Sequence, residues 1–478
     1  MNILFVVWEL DPFFKIGGLG DVARSLPEAL KKLDIDIRTV LPYYKVVKMG
    51  RNKKTKRAEF SLPYAGKTEK VEIWETIHPY TKVITYFLKN KAYLDTVLYM
   101  DTWGFFDTAV VHILEHKIIN WNADILHLND VHCGMIPLLV RQKHLPVKTI
   151  FTIHNLAYQG KTSAKTIDHM GIDIKTCTTI PWEIDANKIN FLLEGLIHSD
   201  RITTVSPTYA KEIMTEEYGC GLTEYLKGLE GRVSGILNGI NVDWRNTTHD
   251  IQVKYAYGPN KKMEDGKIQY YDWKEGKALN KRFLQKKLGL KVSAEIPLFS
   301  FIGRFDAAQK GIDMLHTVLR RMNQEKIECV ILGSGNKDWE ERFAWFSAFY
   351  PKNISCNFIF DDDLAHQIYA GSDFIVIPSR FEPCGLIQMI AMLFGTVPIA
   401  HSTGGLKDSI TDGENGFLYE TYDSKTLEDT MVKAMTLREK KRDVFEKIIQ
   451  NALAMDFSWT KSAKEYIALY QRILTETP

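Results

Sequence analysis

Hydrophobic and polar positions alternate along this chain in blocks that repeat one order. Residues 3–8 are apolar without a break, the pattern of a strand buried on both faces, and Glu9 and Asp11 then end the run. A glycine-rich stretch follows, Lys15-Ile16-Gly17-Gly18-Leu19-Gly20. Val22, Leu26, Leu30 and Leu33 next recur at helical spacing with Ala29 between them, and residues 35–41 supply the next strand. Strand, loop, helix, strand is a βαβ unit. Pro27 lies inside the helical stretch, where it removes a hydrogen bond and crowds the preceding turn, so the pattern predicts either a kink or a restart at Ser25 with Glu28 completing a capping box.

Short apolar runs at residues 83–88, 125–128, 149–153, 201–205 and 233–237 continue the α/β pattern. Residues 261–280 are polar and without clear period; a basic helix is expected at 281–288, and a domain boundary upstream of it, near Asn241. Strands are then predicted at 298–302, 328–332, 354–360, 374–377 and 397–400, with helix-sized intervals between most of them: a second doubly wound sheet. Ser458 is a plausible N-cap for a last helix that puts Trp459, Ala463, Tyr466, Ile467, Tyr470, Ile473 and Leu474 on one stripe, an apolar face that must dock. The fold class read from the pattern is α/β with two Rossmann-like domains; two such lobes usually leave a cleft, with ligands beyond the carboxyl ends of the strands.

A length of 478 residues suits two to four domains. The chain is 45% apolar and 25% charged, ordinary for a globular protein, and its net charge of +2 gives no general argument for nucleic acid or an anionic membrane as partner. Six scattered cysteines show no metal-finger spacing and suit a reducing compartment. Without a secretory leader, a transit leader or a long apolar run, a cytoplasmic enzyme is the expectation, with a plastid form lacking its leader left open.

Four loops after predicted strands could carry chemistry. In residues 15–21 the paired Gly17 and Gly18 allow close backbone approach at a helix start, and Lys15 adds a point charge; a plain strand-to-helix turn explains them equally well. In the second, Thr152-Ile153-His154-Asn155, His154 could move a proton, as could Asp130 or His132 after residue 128, although a lone histidine is more often structural. The third, Gly303-Arg304-Phe305-Asp306-Ala307-Ala308-Gln309-Lys310-Gly311, offers a guanidinium and an ammonium suited to a pyrophosphate, or merely a solvated surface. In the fourth, Ser379-Arg380-Phe381-Glu382-Pro383-Cys384-Gly385-Leu386, Glu382 could accept bonds from sugar hydroxyls, and Ser402-Thr403-Gly404-Gly405-Leu406 repeats the glycine device. Asp361-Asp362-Asp363 reads as a helix start capped by Asp363 rather than a metal site, and no metal is expected.

Taken together, these strings resemble the bacterial and plant glycogen and starch synthases, retaining glycosyltransferases of the two-lobed GT-B type. The resemblance rests on Lys-x-Gly-Gly-Leu-x-Asp-Val at 15–22, Thr-Ile-His-Asn-Leu-Ala-Tyr-Gln-Gly at 152–160, Asp-Arg-Ile-Thr-Thr-Val-Ser-Pro at 200–207, Glu-Tyr-Gly-Cys-Gly-Leu at 217–222, Leu-Asn-Gly-Ile at 237–240, Gly303-Arg304 with Gln309-Lys310-Gly311, Ile-Tyr-Ala-Gly-Ser-Asp at 368–373, residues 378–386, and Thr403-Gly404-Gly405-Leu406. It covers nearly the whole chain. It implies a first lobe at 1–240 on the acceptor side, a nucleotide-sugar lobe at 241–455, and a segment 456–478 whose helix crosses back to the first lobe. It further implies glucose transfer from ADP-glucose to the end of an α-1,4-glucan or maltooligosaccharide, with no cofactor.

On this resemblance Lys15 sits near the donor phosphates or sugar, with Gly17, Gly18 and Asp21 in the same loop. Arg304 and Lys310 meet the pyrophosphate, Glu382 the glucose hydroxyls, and Thr403, Gly404 and Gly405 the phosphate. His154 and Asn155 stand by the donor sugar, Asp130 orients glucose, Asn238 lines the cleft, and Cys384, Gly385 and Leu386 belong to the donor loop. The chain departs from the family pattern in places. Val131 stands where many members carry Trp, removing an aromatic surface near the sugar; the segment 99–106 lacks the usual Asp-Asn-x-x-Arg-Phe; Ile390 replaces the second carboxylate of the Glu-x7-Glu motif; and His401-Ser402 stands where relatives often have Arg. A UDP-glucose-using relative and a catalytically weakened glucan-binding protein therefore remain as alternatives.

Overall fold

The structure, a computed structural model, describes residues 1–50, 52–96, 100–178, 188–241, 246–322 and 324–476. The chain forms two compact units, Met1–Gly239 with Trp459–Pro478, and Ile240–Ser458.

The first unit is built on nine strands: β1 (Asn2–Val6), β2 (Asp36–Pro42), β3 (Lys54–Tyr64), β4 (Lys67–Ile77), β5 (Ile84–Lys89), β6 (Ile125–Asn129), β7 (Lys148–Ile153) and, after a small ribbon of β8 (Lys161–Ser163) with β9 (Lys188–Asn190), β10 (Arg201–Thr204) and β11 (Val233–Gly235). Their order is β11-β10-β7-β6-β1-β2-β5-β4-β3. The pairs from β11 to β5 are parallel, whereas β4 pairs antiparallel with both β5 and β3. Strand order reverses at β1, so the loops after β1 and β6 flank the place where such sheets hold ligands.

The β3–β4 hairpin is absent from the sequence reading. Its outer strand is exposed over most of its length, so binary patterning is weak, and its two-residue turn is Ala65-Gly66. Both turn residues have positive φ, 52° and 69°, as a primed hairpin turn requires. The helix Gly18–Lys32 runs through buried Pro27 as one element, so the restart at Ser25 does not occur. The terminal helix Trp459–Thr475 packs Trp459, Ala463, Tyr466, Tyr470 and Ile473 against Phe5, Val22, Leu26, Leu30 and Ile150. Tyr470 reaches through this core to buried His127, with Oη 2.6 Å from Nδ1.

The second unit opens with a small sheet of β12 (Tyr257–Gly258), β13 (Lys262–Glu264) and β14 (Lys267–Asp272). Residues 261–280, expected to lack regular structure, thus hold two strands and the start of a helix, Trp273–Lys287, which begins eight residues before the predicted Lys281. Its start is fixed by Asp272, whose carboxylate accepts from the N–H groups of Lys274 and Glu275 at 3.0 and 3.1 Å. Gly276 interrupts the pattern because a Cβ there would stand 2.2 Å from that of Tyr257.

The main sheet comprises β15 (Leu298–Ile302), β16 (Glu328–Leu332), β17 (Ile354–Asn357), β18 (Phe374–Ile377), β19 (Val397–His401) and β20 (Phe417–Tyr419), parallel throughout in the order β17-β16-β15-β18-β19-β20. β17 is shorter than the predicted 354–360: Ile359 and Phe360 are exposed, so their apolarity reports surface rather than strand. The next helix, Asp362–Gly371, is capped by Asp361 and not Asp363, with the N–H of Leu364 donating to Asp361 Oδ1 at 2.9 Å.

Candidate functional site

In the first unit the glycine loop after β1 is organised by a residue the motif reading passed over. Glu9 is buried, and its carboxylate accepts from the N–H groups of Ile16 and, at 2.9 Å, Gly17. Burial raises its pKa, while those two donors oppose the rise. Lys15 turns back to Asp21 in the first turns of Gly18–Lys32, 2.7 Å apart in a half-exposed ion pair. Gly20 is constrained too: a Cβ there would meet Lys15 Cγ at 3.0 Å and Glu9 Oε2 at 3.5 Å. The only sequence sign of Glu9 was a charge ending an apolar run.

The second group follows β6 and β7. Asp130 adopts φ 59°, ψ 179°, a strained region for a residue with a side chain. This conformation aims its carboxylate at the next loop, where the backbone N–H of His154 donates to it at 2.7 Å and that of Asn155 also donates. Burial nonetheless outweighs those bonds and pushes Asp130 up to about 7, with nearby Glu9 adding to the rise. His154 is pulled down to about 3 by burial and is therefore neutral. Its Nε2 lies 3.0 Å from Asn129 Oδ1, while the amide nitrogen of Asn129 donates to the carbonyl of Val6 at 3.1 Å. Asn129 thus presents an acceptor, so His154 carries its proton on Nε2 and offers an unprotonated Nδ1. Asn155 uses its own Oδ1 to accept from Ala157 N–H at 3.0 Å. Asn238 is buried, and its Oδ1 has no hydrogen-bond partner among the described residues.

Aromatic rings cluster beside Val131 in this unit. His132 stacks on Trp8 at 5.0 Å between ring centres, and Trp103 meets it edge-on at 4.7 Å. Trp103 and Val131 together border Gly160, where a Cβ would lie 2.8 Å from the indole and 2.2 Å from the valine. Trp103 belongs to the atypical 99–106 segment, which forms the start of the helix Met100–Glu115; Tyr99 lies outside the described residues.

The second unit assembles its predicted residues through close backbone packing. Lys310 Nζ donates to Glu382 Oε2 at 2.6 Å, and Ser379 Oγ donates to the same oxygen at 2.9 Å. Arg304 reaches Gln309 Oε1 at 3.0 Å, and the Gln309 carbonyl accepts from Arg380 N–H at 2.8 Å. The loops after β15 and β18 are therefore held together. Gly311, φ 64°, could carry no Cβ, because it would fall 1.9 Å from the carbonyl oxygen of Pro378. Gly404, φ 45°, and Gly405 are equally pressed, onto the carbonyl oxygens of Glu382 and Cys384, each 2.0 Å from an added Cβ. Gly405 N–H in turn donates to the Glu382 carbonyl at 3.0 Å. Gly385 has φ 70°, Cys384 is buried, and Leu386 and Thr403 occupy the positions that precede the helices Ile387–Leu393 and Gly404–Ser409. His401 is buried with Nδ1 3.0 Å from the Ser379 carbonyl.

Among the described residues, one trio of side chains could hold a metal ion: His112, Glu115 and His116, on and just past the helix Met100–Glu115, where Lys143 already lies 2.7 Å from Glu115. Among the described residues no helix is long and apolar enough to cross a membrane.

Comparison with known proteins gives a consistent result. A family model described as "Starch synthase catalytic domain" matches residues 2–228, and one described as "Glycosyl transferases group 1" matches 283–452. The chain is 36% identical to a glycogen synthase of Lactococcus lactis, covering 99% of this chain and 100% of that protein. It is 37% identical to one from Clostridium beijerinckii, with 99% of each covered. Among solved structures it is similar to the catalytic domain of starch synthase IV from Arabidopsis thaliana bound to ADP and acarbose, with a TM-score of 0.88, 29% identity and 99% of both chains covered. A sucrose-phosphate synthase from Thermosynechococcus elongatus shares the fold at a TM-score of 0.62 and 18% identity.

Proposed function

Since the chain belongs to the glycogen and starch synthases, 36–37% identical to members along their full length, we propose that the Lys310–Glu382–Ser379 cluster and its glycine-packed neighbours hold the donor ADP-glucose. The protein is a glucosyltransferase of glycogen and starch synthesis, with the GT-B fold. The observation that carries the residue assignment is Lys310 and Glu382 at 2.6 Å, beside the backbone of Gly404 and Gly405 and the Arg304–Gln309 pair, all in loops following strands. In this reading Arg304 and Lys310 neutralise the leaving pyrophosphate, Glu382 takes glucose hydroxyls, and Lys15 adds charge beside the glycine loop of the first unit.

His154, neutral and fixed as the Nε2–H tautomer, orients the sugar and is not the proton donor. Asp130 helps hold the glucose. The glucose C1–O bond to phosphate breaks as the acceptor oxygen bonds C1 on the same face, and the acceptor proton passes to the departing phosphate oxygen, which gives retention without a protein nucleophile. Partners are ADP-glucose and an α-1,4-glucan. The ADP and the acarbose bound in the starch synthase IV structure support a nucleotide-sugar donor of this kind and a glucan as partners.

The test is incorporation of labelled glucose into glycogen and maltooligosaccharide from ADP-glucose and UDP-glucose in parallel, with EDTA present. Transfer preferring ADP-glucose is expected. Preference for UDP-glucose would overturn the donor assignment, and intact glucan binding without transfer from either donor would leave a glucan-binding protein.

A further inference from the structure

The second unit carries a cavity on the side of its sheet away from the donor loops. All six strands run parallel, so Arg304, Lys310 and Glu382, which follow strands, lie at one edge, and residues that precede strands lie at the other. Ser372 and Asp373 immediately precede β18, and Asp373 accepts from the N–H of Leu298 at the start of β15, 2.8 Å away. At this edge a cavity of about 460 Å³ opens between the helix Trp273–Lys287, the helices Ser424–Lys440 and Arg442–Leu453, and the strand starts.

Its chemistry is cationic. Six Lys and Arg side chains line it against three Asp and Glu, of which Glu446 lies against Lys274 and 3.5 Å from Arg442. Asp373 is already matched by Lys281 at 2.7 Å and Arg438 at 3.2 Å, both buried. Lys277 instead faces neutral oxygens: Thr396 Oγ1 at 2.8 Å, the Phe394 carbonyl at 3.1 Å and the Ala370 carbonyl at 3.3 Å. Burial pulls this ammonium down to about 7, so an anion nearby would stabilise its charged form. Arg282 and Arg442 add guanidinium groups at the lining, a geometry that suits phosphate oxygens. Ser372, fully buried, borders the same cavity with an Oγ that has no hydrogen-bond partner among the described residues. Buried hydroxyls are ordinarily bonded, and a ligand oxygen here would complete it.

We propose that this cavity is an anion site, separate from the donor loops, for inorganic phosphate or a small phosphate ester. The experiment is calorimetric titration of the full chain with inorganic phosphate, with a hexose phosphate and with sulfate, each with and without saturating ADP. Saturable millimolar or tighter binding that ADP leaves unchanged is expected; a tighter hexose phosphate identifies an ester site, and equal affinities a free-anion site. Arg282→Gln with Arg442→Gln should weaken binding at least tenfold, and Ser372→Ala severalfold, with unfolding temperatures recorded to show that the variants fold. No saturable binding, displacement by ADP, or affinity unchanged in the Arg282/Arg442 variant would each overturn the proposal. The readout is binding and not glucose transfer, so it stands or falls apart from the donor assignment.

Discussion

The two units reach a polar site by opposite means. In the first, beside the ion pair of Lys15 with Asp21, burial shifts three groups toward their uncharged forms: His154 is pulled down to about 3, Asp130 pushed up to about 7, and Glu9 raised, each held by backbone N–H groups or amides. In the second, Lys310 pairs with Glu382 within a frame of glycines pressed onto neighbouring carbonyls. Donated hydrogen bonds fix orientation and suit recognition of a neutral sugar, whereas fixed cations suit a pyrophosphate whose charge grows as it leaves. The proposed reaction would use both.

The sharpest way to break this contrast is to remove charge from each side. Lys310→Ala or Arg304→Ala should lower turnover by about 10²-fold or more. Near-normal turnover in either variant would end the pyrophosphate assignment. The frame is tested next. Gly404→Ala forces a Cβ to 2.0 Å from a carbonyl oxygen at positive φ, so denaturant unfolding of the second unit should show a loss of about 2–4 kcal/mol. An unchanged midpoint would mean that the backbone there yields.

Asp130→Asn probes the uncharged side. A carboxyl held at about 7 when folded, against 3.8 ordinarily, favours the fold at pH below about 4 and loses that contribution as pH rises through 7. The amide variant should therefore gain on the parent across that window, by about 1–3 kcal/mol at pH 8. Its turnover should fall, and any ionisation step near pH 7 in the parent's rate profile should vanish. A step that persists in the variant belongs to another group. The smallest effect is expected at Glu9→Gln, which keeps one oxygen for the two N–H groups that share Oε2 but removes its charge: about 1 kcal/mol of stability and a raised KM for donor. A change in turnover alone, with KM intact, would count against a loop-shaping role.

Much of this molecule was legible in one dimension. Continuous apolar runs announced the buried parallel strands, and the glycine- and charge-bearing loops behind them contained Lys15, Asp130, His154, Arg304, Lys310 and Glu382. These signals are local: a strand buried on both faces must be apolar, and a backbone pressed against another backbone must be glycine. Gly404 and Gly405 were legible as glycines at a helix start, but not their packing onto the carbonyls of Glu382 and Cys384. The β3–β4 hairpin was not, because its outer face is solvated and its Ala65-Gly66 turn lacks the usual signature. Nor were Glu9, Asn129 and Trp103, whose roles depend on partners far along the chain or on burial that no single residue displays.

The sequence by itself thus determined the α/β order and the loops where chemistry sits, since periodicity and glycine placement are set by neighbours within a few residues. Only the tertiary structure decided which groups pair and which are desolvated. The pairing of Lys310 with Glu382 across 72 positions, the lowered His154 and the raised Asp130 all follow from desolvation and partner geometry, and these are properties of the packed chain rather than of any segment of it.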